Sequence, residues 1–235
     1  MTISKISVII PAYNEEKNII ATVQSIIDYF SGKDFNYEII IVDDGSTDKT
    51  ASLISGLSGI KFFQFPENIG KGAAVRKGML EADGDLKIFM DADNSTKIKE
   101  LDNFLPKLSE NYQIIIASRA LKESQVKPQV WFKAWAGKVG NKLIQLVAVP
   151  GIKDTQCGFK LFTKESAMVF EKQTLDRWGF DFEVLFLARR KNFKILEMPV
   201  VWINNPGSRV KGSDYFKTFI ELIKIRLNAL QRKYE

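Results

Sequence analysis

Apolar residues recur along this chain in two rhythms. Ser7 to Ile10 is a short apolar run closed by Pro11, whereas Glu15 to Phe30 carries Ile19, Ile20, Val23, Ile26, Ile27 and Phe30 at helical spacing. The alternation then repeats. Glu38 to Val42 reads as a buried strand closed by Asp43-Asp44-Gly45-Ser46, with Ser46 or Thr47 placed to cap a helix running to Leu57. Lys61 to Phe65 predicts a third strand, Lys71 to Ala82 a third helix, Leu86 to Met90 a fourth strand and Gln113 to Ala117 a fifth. Strands rich in Ile and Val, separated by helices, imply a parallel sheet covered on both faces. After Ser118-Arg119 the pattern changes. Lys127 to Val149 reads as an apolar and basic helix, Gly151 to Phe162 as loop and strand, Asp181 to Lys191 as a helix, Lys194 to Trp202 as a strand, and Tyr215 to Tyr234 as a helix. With no internal repeat, low-complexity tract or linker, the second half reads as an elaboration of the same sheet.

Composition narrows the chemistry. The 235 residues include no histidine, so a Ser-His-Asp triad, a histidine general base and a His-ligated zinc site are all excluded. Acid-base or metal chemistry must rest on carboxylates. A single cysteine, Cys157, excludes an internal disulfide, and without a neighbouring activator it reads as a packed residue rather than a nucleophile. The formal charge of +6 favours anionic partners. A nucleic-acid binder would need a basic stripe or a known module, but Lys and Arg are scattered among Asp and Glu, so no nucleic acid is expected. The start of the chain lacks the pattern of a signal peptide, and no stretch approaches the ~18 apolar residues of a membrane span. A cytoplasmic protein is expected.

In parallel sheets ligands bind at the carboxyl ends of the strands. Pro11 to Glu15, Asp43-Asp44-Gly45 and Asp91-Ala92-Asp93 all fall there. Two carboxylates flanking one residue resist joint ionisation unless a cation neutralises them, which suits magnesium or manganese held together with phosphate oxygens. The competing reading is a solvated turn with Asp93 capping a helix that starts near Lys97. Asp43 and Asp44 suit a ribose or base, with an Asp-Gly turn as the plain alternative. Asn68 to Arg76, which contains Gly70-Lys71-Gly72, fits neither the P-loop nor the GxGxxG pattern. A phospho-receiver module also clusters aspartates at strand ends, but would leave the second half unexplained.

Taken in order and spacing, Ser7 to Glu16, Ile41 to Asp48, Asn68 to Gly72 and Asp91 to Asp93 resemble the family 2 inverting glycosyltransferases of GT-A fold. Asp154 to Phe162, Arg177 to Glu183 and Gly207 to Val210 are most similar to the dolichyl-phosphate β-glucosyltransferase subgroup, with the dolichyl-phosphate mannose synthases next. The resemblance implies a Rossmann-like, mixed, mainly parallel α/β sheet, a catalytic domain over 1–212 and a C-terminal amphipathic helix over 213–235. It implies that Pro11, Ala12, Tyr13, Asn14 and Glu15 with Asp43, Asp44 and Gly45 hold base and ribose, and that Lys71 lies beside the nucleotide or its diphosphate. Asp91 and Asp93, flanking Ala92, would hold Mg2+ or Mn2+; Arg119, Gln156 and Arg209 would meet the acceptor. Ser95 stands where mannose synthases often carry Gln, which favours the glucosyl subgroup. Eukaryotic members usually begin with a membrane-anchoring helix, which is absent here, so the expectation is peripheral contact with the cytoplasmic face of a membrane.

The implied reaction moves a hexose, glucose from UDP-glucose, to a polyprenyl monophosphate with inversion; mannose from a guanine nucleotide and a non-lipid acceptor are the alternatives. A phosphate acceptor is already ionised and needs no strong base, in keeping with the missing histidines. Asp181 and Glu183 remain as candidate bases or acceptor-site carboxylates, Asp181 being the one placed with Asp91, Asp93 and Arg119 as catalytic; the alternative is acids favoured at a helix N-terminus. Trp131, Phe132 and Trp135 among lysines suit either the core or a membrane-facing helix, with the C-terminal helix as a second such surface.

Overall fold

The computed structural model describes residues 3–126, 140–203 and 212–235, the side chains of 212–216 excepted. Among the described residues, seven strands form one sheet in the order β3-β2-β1-β4-β7-β5-β8: β1 Lys5–Ala12, β2 Asn36–Asp43, β3 Ile60–Gln64, β4 Leu86–Met90, β5 Ile114–Ser118, β7 Phe159–Thr163 and β8 Ile195–Pro199. All neighbours are parallel except β7, which runs antiparallel between β4 and β5. Two further short strands, β6 Gln125–Val126 and β9 Val201–Trp202, pair with each other beside this sheet.

Helices cover both faces, which is why the strands are mostly apolar rather than alternating with polar residues, with Ser7, Lys87 and Lys160 among the buried exceptions. Ile9, Ile40, Val42, Phe89, Ile114, Ile116 and Phe162 point to one face. Helices α3 Lys71–Glu81, α5 over residues 140–147, α6 Phe180–Arg190 and α7 Gly212–Leu230 lie on that side. Val8, Ile10, Ile39, Ile41, Ile88, Met90 and Leu161 point to the other, against α1 Ile19–Ser31 and the short helical turns from Ile98 through α4 Leu101–Phe104 to Glu110. Each large apolar side chain sealed there contributes about 1.5–3 kcal/mol.

The strand order reverses between β1 and β4. To one side the chain winds β1, β2, β3; it then returns to place β4 on the other side of β1. Such a switch point opens a crevice at the carboxyl ends of the two strands, where Pro11 to Glu15 and Asp91 to Asp93 emerge. The antiparallel β7 begins where β4 ends, Met90 opposite Phe159. Its leading loop, 154–158, is thereby carried to the same crevice.

Several local expectations differ from the structure. α1 starts at Ile19, because Asn14 turns back at φ 53 and residues 15–18 form a turn. α2, Thr50–Ser55, begins after Lys49; Asp48, rather than Ser46 or Thr47, accepts from the Thr50 amide at 2.9 Å. Lys194 to Trp202 is not one strand: after Pro199 the chain leaves the sheet and pairs with β6. α7 ends at Leu230, and Tyr234 folds back into the core. The aromatic segment with Trp131, Phe132 and Trp135, and the segment with Arg209, lie outside the described residues.

Candidate active site

The ends of β1 and β2 brace one another. Asn14 Oδ1 accepts from the Thr47 amide at 2.7 Å, the Asn14 amide donates to Ser46 Oγ at 2.7 Å, and the Glu15 amide donates to Thr50 Oγ1 at 2.7 Å. Asp43, fully buried, accepts from the Ser46 amide and hydroxyl. Asp44 faces the next loop instead. It accepts from Asn68 Nδ2 and the Ile69 amide, both at 2.8 Å, and from the Gly70 amide at 3.1 Å. Burial pushes its carboxyl up, against the pull of those amides. Asp44 thus fixes the start of α3, and Gly45 between the two loops turns at φ 70. Pro11 and Ala12 pair with Val42 and Asp43 in the β1–β2 ladder, and Tyr13 follows half-buried.

The entry to α3 is set by a glycine. Gly70 sits at φ 141, and a Cβ there would lie 2.3 Å from the Asp176 carbonyl oxygen, so only glycine fits. The consequence is that Lys71 projects from a pinned backbone. Its ammonium is 2.5 Å from Asp91 Oδ1 and 5.9 Å from the centre of the Trp178 ring. Burial opposes its charge, yet Asp91 and Asp181 hold it above the usual lysine range.

Asp91 is cradled from the other side. Its amide donates to the Gly158 carbonyl at 3.0 Å, and a Cβ on Gly158 would stand 1.9 Å from Asp91 Oδ2. Asp93, two residues on, accepts from the Ser95 amide at 2.9 Å. It does not cap the helical turn at Ile98, whose N-cap is Lys97 and which has no side-chain cap. Burial first, then the charge of Asp91, raises its carboxyl. Ala92 between them is buried, its carbonyl accepting from Thr22 Oγ1 at 2.7 Å.

Beneath this pair lies a second one. Lys160, on β7 opposite Phe89, is fully buried; its ammonium donates to the Cys157 carbonyl at 2.7 Å and to Asp181 Oδ1 in a tight ion pair. Burial raises the Asp181 carboxyl, while Lys160 and Lys71 act to lower it. Lys160 therefore ties the loop carrying Gly158 to the first turn of α6. Cys157 is buried, and burial pushes its thiol up to about 12, which leaves it inert as a nucleophile.

Arg119 follows β5 and is gripped by Asp154, Nε to Oδ2 at 2.7 Å and NH2 to Oδ1 at 2.9 Å, with its backbone amide on Oδ2 at 2.8 Å. Although burial raises carboxyls, the guanidinium holds Asp154 below the usual range. Trp202 from β9 stacks its ring 5.5 Å from the guanidinium carbon. Gln156 is exposed in the loop between Asp154 and Gly158. Asp181 and Glu183 part company. Glu183 turns into the core and accepts from the Thr174 and Leu175 amides at 3.1 and 2.9 Å and from the Tyr234 hydroxyl at 2.7 Å.

The structure thus gathers Asp91, Asp93, Lys71 and Asp181 around one crevice and keeps Glu183 out of it. The sequence reading missed Gly158 and Lys160. The signal for the second was a lone lysine inside the apolar strand Phe159–Thr163. Two carboxylates one residue apart suit a hard divalent cation completed by phosphate oxygens and water. Among the described residues no group of three or more acidic or thiol side chains is arranged to hold a metal ion.

The family described as glycosyl transferase family 2 matches residues 7–170. A dolichyl-phosphate beta-glucosyltransferase of Trichomonas vaginalis is 39% identical, the alignment covering 94% of this chain and 72% of the relative. The protein of that name from Dictyostelium discoideum is 36% identical, covering 93% and 72%, and that from Homo sapiens 32% identical, covering 96% and 76%. Among solved structures, glucosyl-3-phosphoglycerate synthase of Mycobacterium tuberculosis in complex with Mn2+, uridine diphosphate and glucosyl-3-phosphoglycerate superposes with a TM-score of 0.69 at 18% identity, covering 94% of this chain and 80% of that one. Mannosyl-3-phosphoglycerate synthase from Rubrobacter xylanophilus gives 0.73 at 15%, covering 98% and 75%. At these identities the likeness establishes the fold, a GT-A type mixed sheet flanked by helices.

Proposed function

Because this chain belongs to glycosyltransferase family 2, we propose that it transfers glucose from UDP-glucose to a dolichyl-type polyprenyl monophosphate, with inversion, giving a β-linked lipid product. The observation that carries this is the 32–39% identity, over nearly the whole chain, to relatives named for that reaction. The nucleotide lies between Pro11 to Glu15 and Asp43 to Gly45, its diphosphate reaching towards Lys71 at the N-terminus of α3, where the helix dipole favours anions. Mg2+ or Mn2+ on Asp91 and Asp93 supplies Lewis-acid stabilisation of the departing diphosphate.

Arg119 meets the acceptor phosphate, and Asp154 positions it by the double hydrogen bond on one edge of the guanidinium. Gln156, exposed on the same loop, faces acceptor or sugar, and Arg209, outside the described residues, is assigned to the acceptor phosphate by its motif alone. The acceptor oxygen is ionised already, its second pKa being about 6, so these residues hold two anions together rather than remove a proton. Asp181, locked to Lys160, contributes charge balance around Lys71.

No helix among the described residues is long and apolar enough to cross a membrane. The lipid tail of the proposed acceptor stays in the bilayer, so the catalytic domain meets it at the membrane surface. Phe219, Ile220, Ile223, Leu227 and Leu230 are exposed along one stripe of α7, opposite the buried Leu222 and Ile225, with Lys217, Lys224 and Arg226 beside the stripe. An apolar stripe rimmed by bases suits the anionic cytoplasmic leaflet.

Isolation of the lipid product made from UDP-glucose and polyprenyl phosphate, followed by proton NMR of the anomeric centre, tests the reading. A β-glucosyl phosphate is expected. An α-linked product, or sugar recovered only on a water-soluble acceptor, refutes it.

A further inference from the structure

Lys71 poses a question that diphosphate binding alone does not answer. Its backbone is immobilised: Asp44 holds the Ile69 and Gly70 amides, and the Ala73 amide donates to the Asp176 carbonyl at 3.0 Å. The only freedom left at this position is in the four-carbon side chain. That side chain ends on Asp91 Oδ1 at 2.5 Å, on a carboxylate that the metal reading requires. One carboxylate oxygen cannot serve an ammonium at that distance and a divalent cation at ~2.1 Å with full strength at once. Asp91 already lies against Gly158, where a Cβ would stand 1.9 Å from its other oxygen, and its carboxylate sits one carbon from the backbone, whereas the lysine ammonium has a four-carbon reach. The ammonium is the group able to move.

We propose that Lys71 is the resident cation of the acidic strand end, and that a divalent metal and the nucleotide diphosphate displace it together. When the diphosphate arrives at the N-terminus of α3, Lys71 finds a new anionic partner one swing of its side chain away, and Asp91 is released to the metal. Metal without nucleotide must expel the ammonium into a site where Asp181 is already paired with Lys160. Metal alone therefore binds weakly, and the two ligands bind with strong mutual cooperativity. By linkage, whatever factor the nucleotide adds to metal affinity, the metal adds to nucleotide affinity. Lys71 acts here as a positioning residue for the metal, and the inference rests on the reading of Asp91 and Asp93 as its ligands.

The test is equilibrium Mn2+ binding, followed by the electron paramagnetic resonance of free Mn2+, on the full chain with and without uridine diphosphate, each titration corrected by a protein-free one for the Mn2+ that uridine diphosphate itself chelates. In the wild type, uridine diphosphate should tighten Mn2+ binding by about tenfold or more. In Lys71→Met, Mn2+ alone should bind about tenfold tighter than to the wild type, and the gain from uridine diphosphate should shrink; Lys71→Arg should behave as the wild type. Wild-type protein that binds Mn2+ equally well with and without nucleotide overturns the proposal without recourse to any variant, as does Lys71→Met with no tighter binding of Mn2+ alone. The prior reading of the metal site fails separately, if the wild type binds no Mn2+ even with uridine diphosphate present.

Discussion

Asp93 is held in the folded chain by surroundings that disfavour its charge, namely burial and the neighbouring Asp91. Its carboxyl in the fold lies above its unfolded value, so metal-free protein loses stability as pH rises through the carboxylate range. Asp93→Asn should therefore raise the melting temperature of metal-free protein at pH 7, with the advantage shrinking towards acid pH, while most activity is lost. Thermal melts across pH in chelator check this, and a variant that melts lower at pH 7 contradicts it. Arg119 calls for a different choice of substitution. Arg119→Ala strands the buried Asp154 and should cost about 3–5 kcal/mol of stability. Arg119→Lys keeps the charge, and should stay folded with a raised acceptor KM and unchanged donor affinity by calorimetry. Gly158→Ala should lower kcat/KM at least about tenfold, or about 1.4 kcal/mol, because the added methyl meets Asp91. Asp91 and Asp93 were legible in sequence because a buried apolar strand stops at them. Gly158 was not, since its contact depends on β7 running back along β4.

At the scale of elements, the C-terminal segment is a clamp. Glu183 in the first turn of α6 binds the Tyr234 hydroxyl, α7 carries Asn228 to Thr174 Oγ1 at 2.9 Å, and Glu221 accepts from the Gly179 amide at 2.8 Å. Tyr234→Phe should cost about 1.5–3 kcal/mol, as for a hydrogen bond to a charged group, and leave kcat unchanged in the folded protein. Denaturant unfolding beside steady-state kinetics decides the point; a stable protein with reduced kcat would return Glu183 to the site. In sequence Glu183 stood equal to Asp181, because two acids in one helical turn look alike until the partners are known. The parallel strands and their helices were readable from rhythm alone, since the buried strands are short apolar runs rich in Ile and Val. The turns at 98–110 and 166–172 were not, being too short to show a period. The break after Pro199 escaped for another reason: Val201 and Trp202 stay apolar while changing partners.

On the proposed function, the whole molecule has to bring an ionised lipid headgroup to a crevice at the carboxyl ends of the strands. The outer stripe of α7 is the described surface best suited to the bilayer, and replacing Phe219, Ile223 and Leu227 by Ser should weaken cosedimentation with anionic vesicles and lipid glycosylation together, sparing binding of uridine diphosphate. Unchanged cosedimentation would move the docking surface elsewhere. The charge pattern of α7 was legible in sequence, but which of its faces meets the core was settled only by the burial of Leu222 and Ile225. The central claim, a metal-assisted glucosyl transfer to polyprenyl phosphate, is tested most directly by incubating the purified chain with polyprenyl phosphate vesicles and radiolabelled nucleotide sugars, with Mg2+ or Mn2+ and with excess chelator, and counting label extracted into lipid. The account predicts label from UDP-glucose, little from GDP-mannose and none in chelator. Label from GDP-mannose in preference to UDP-glucose, or full transfer in chelator, would contradict it.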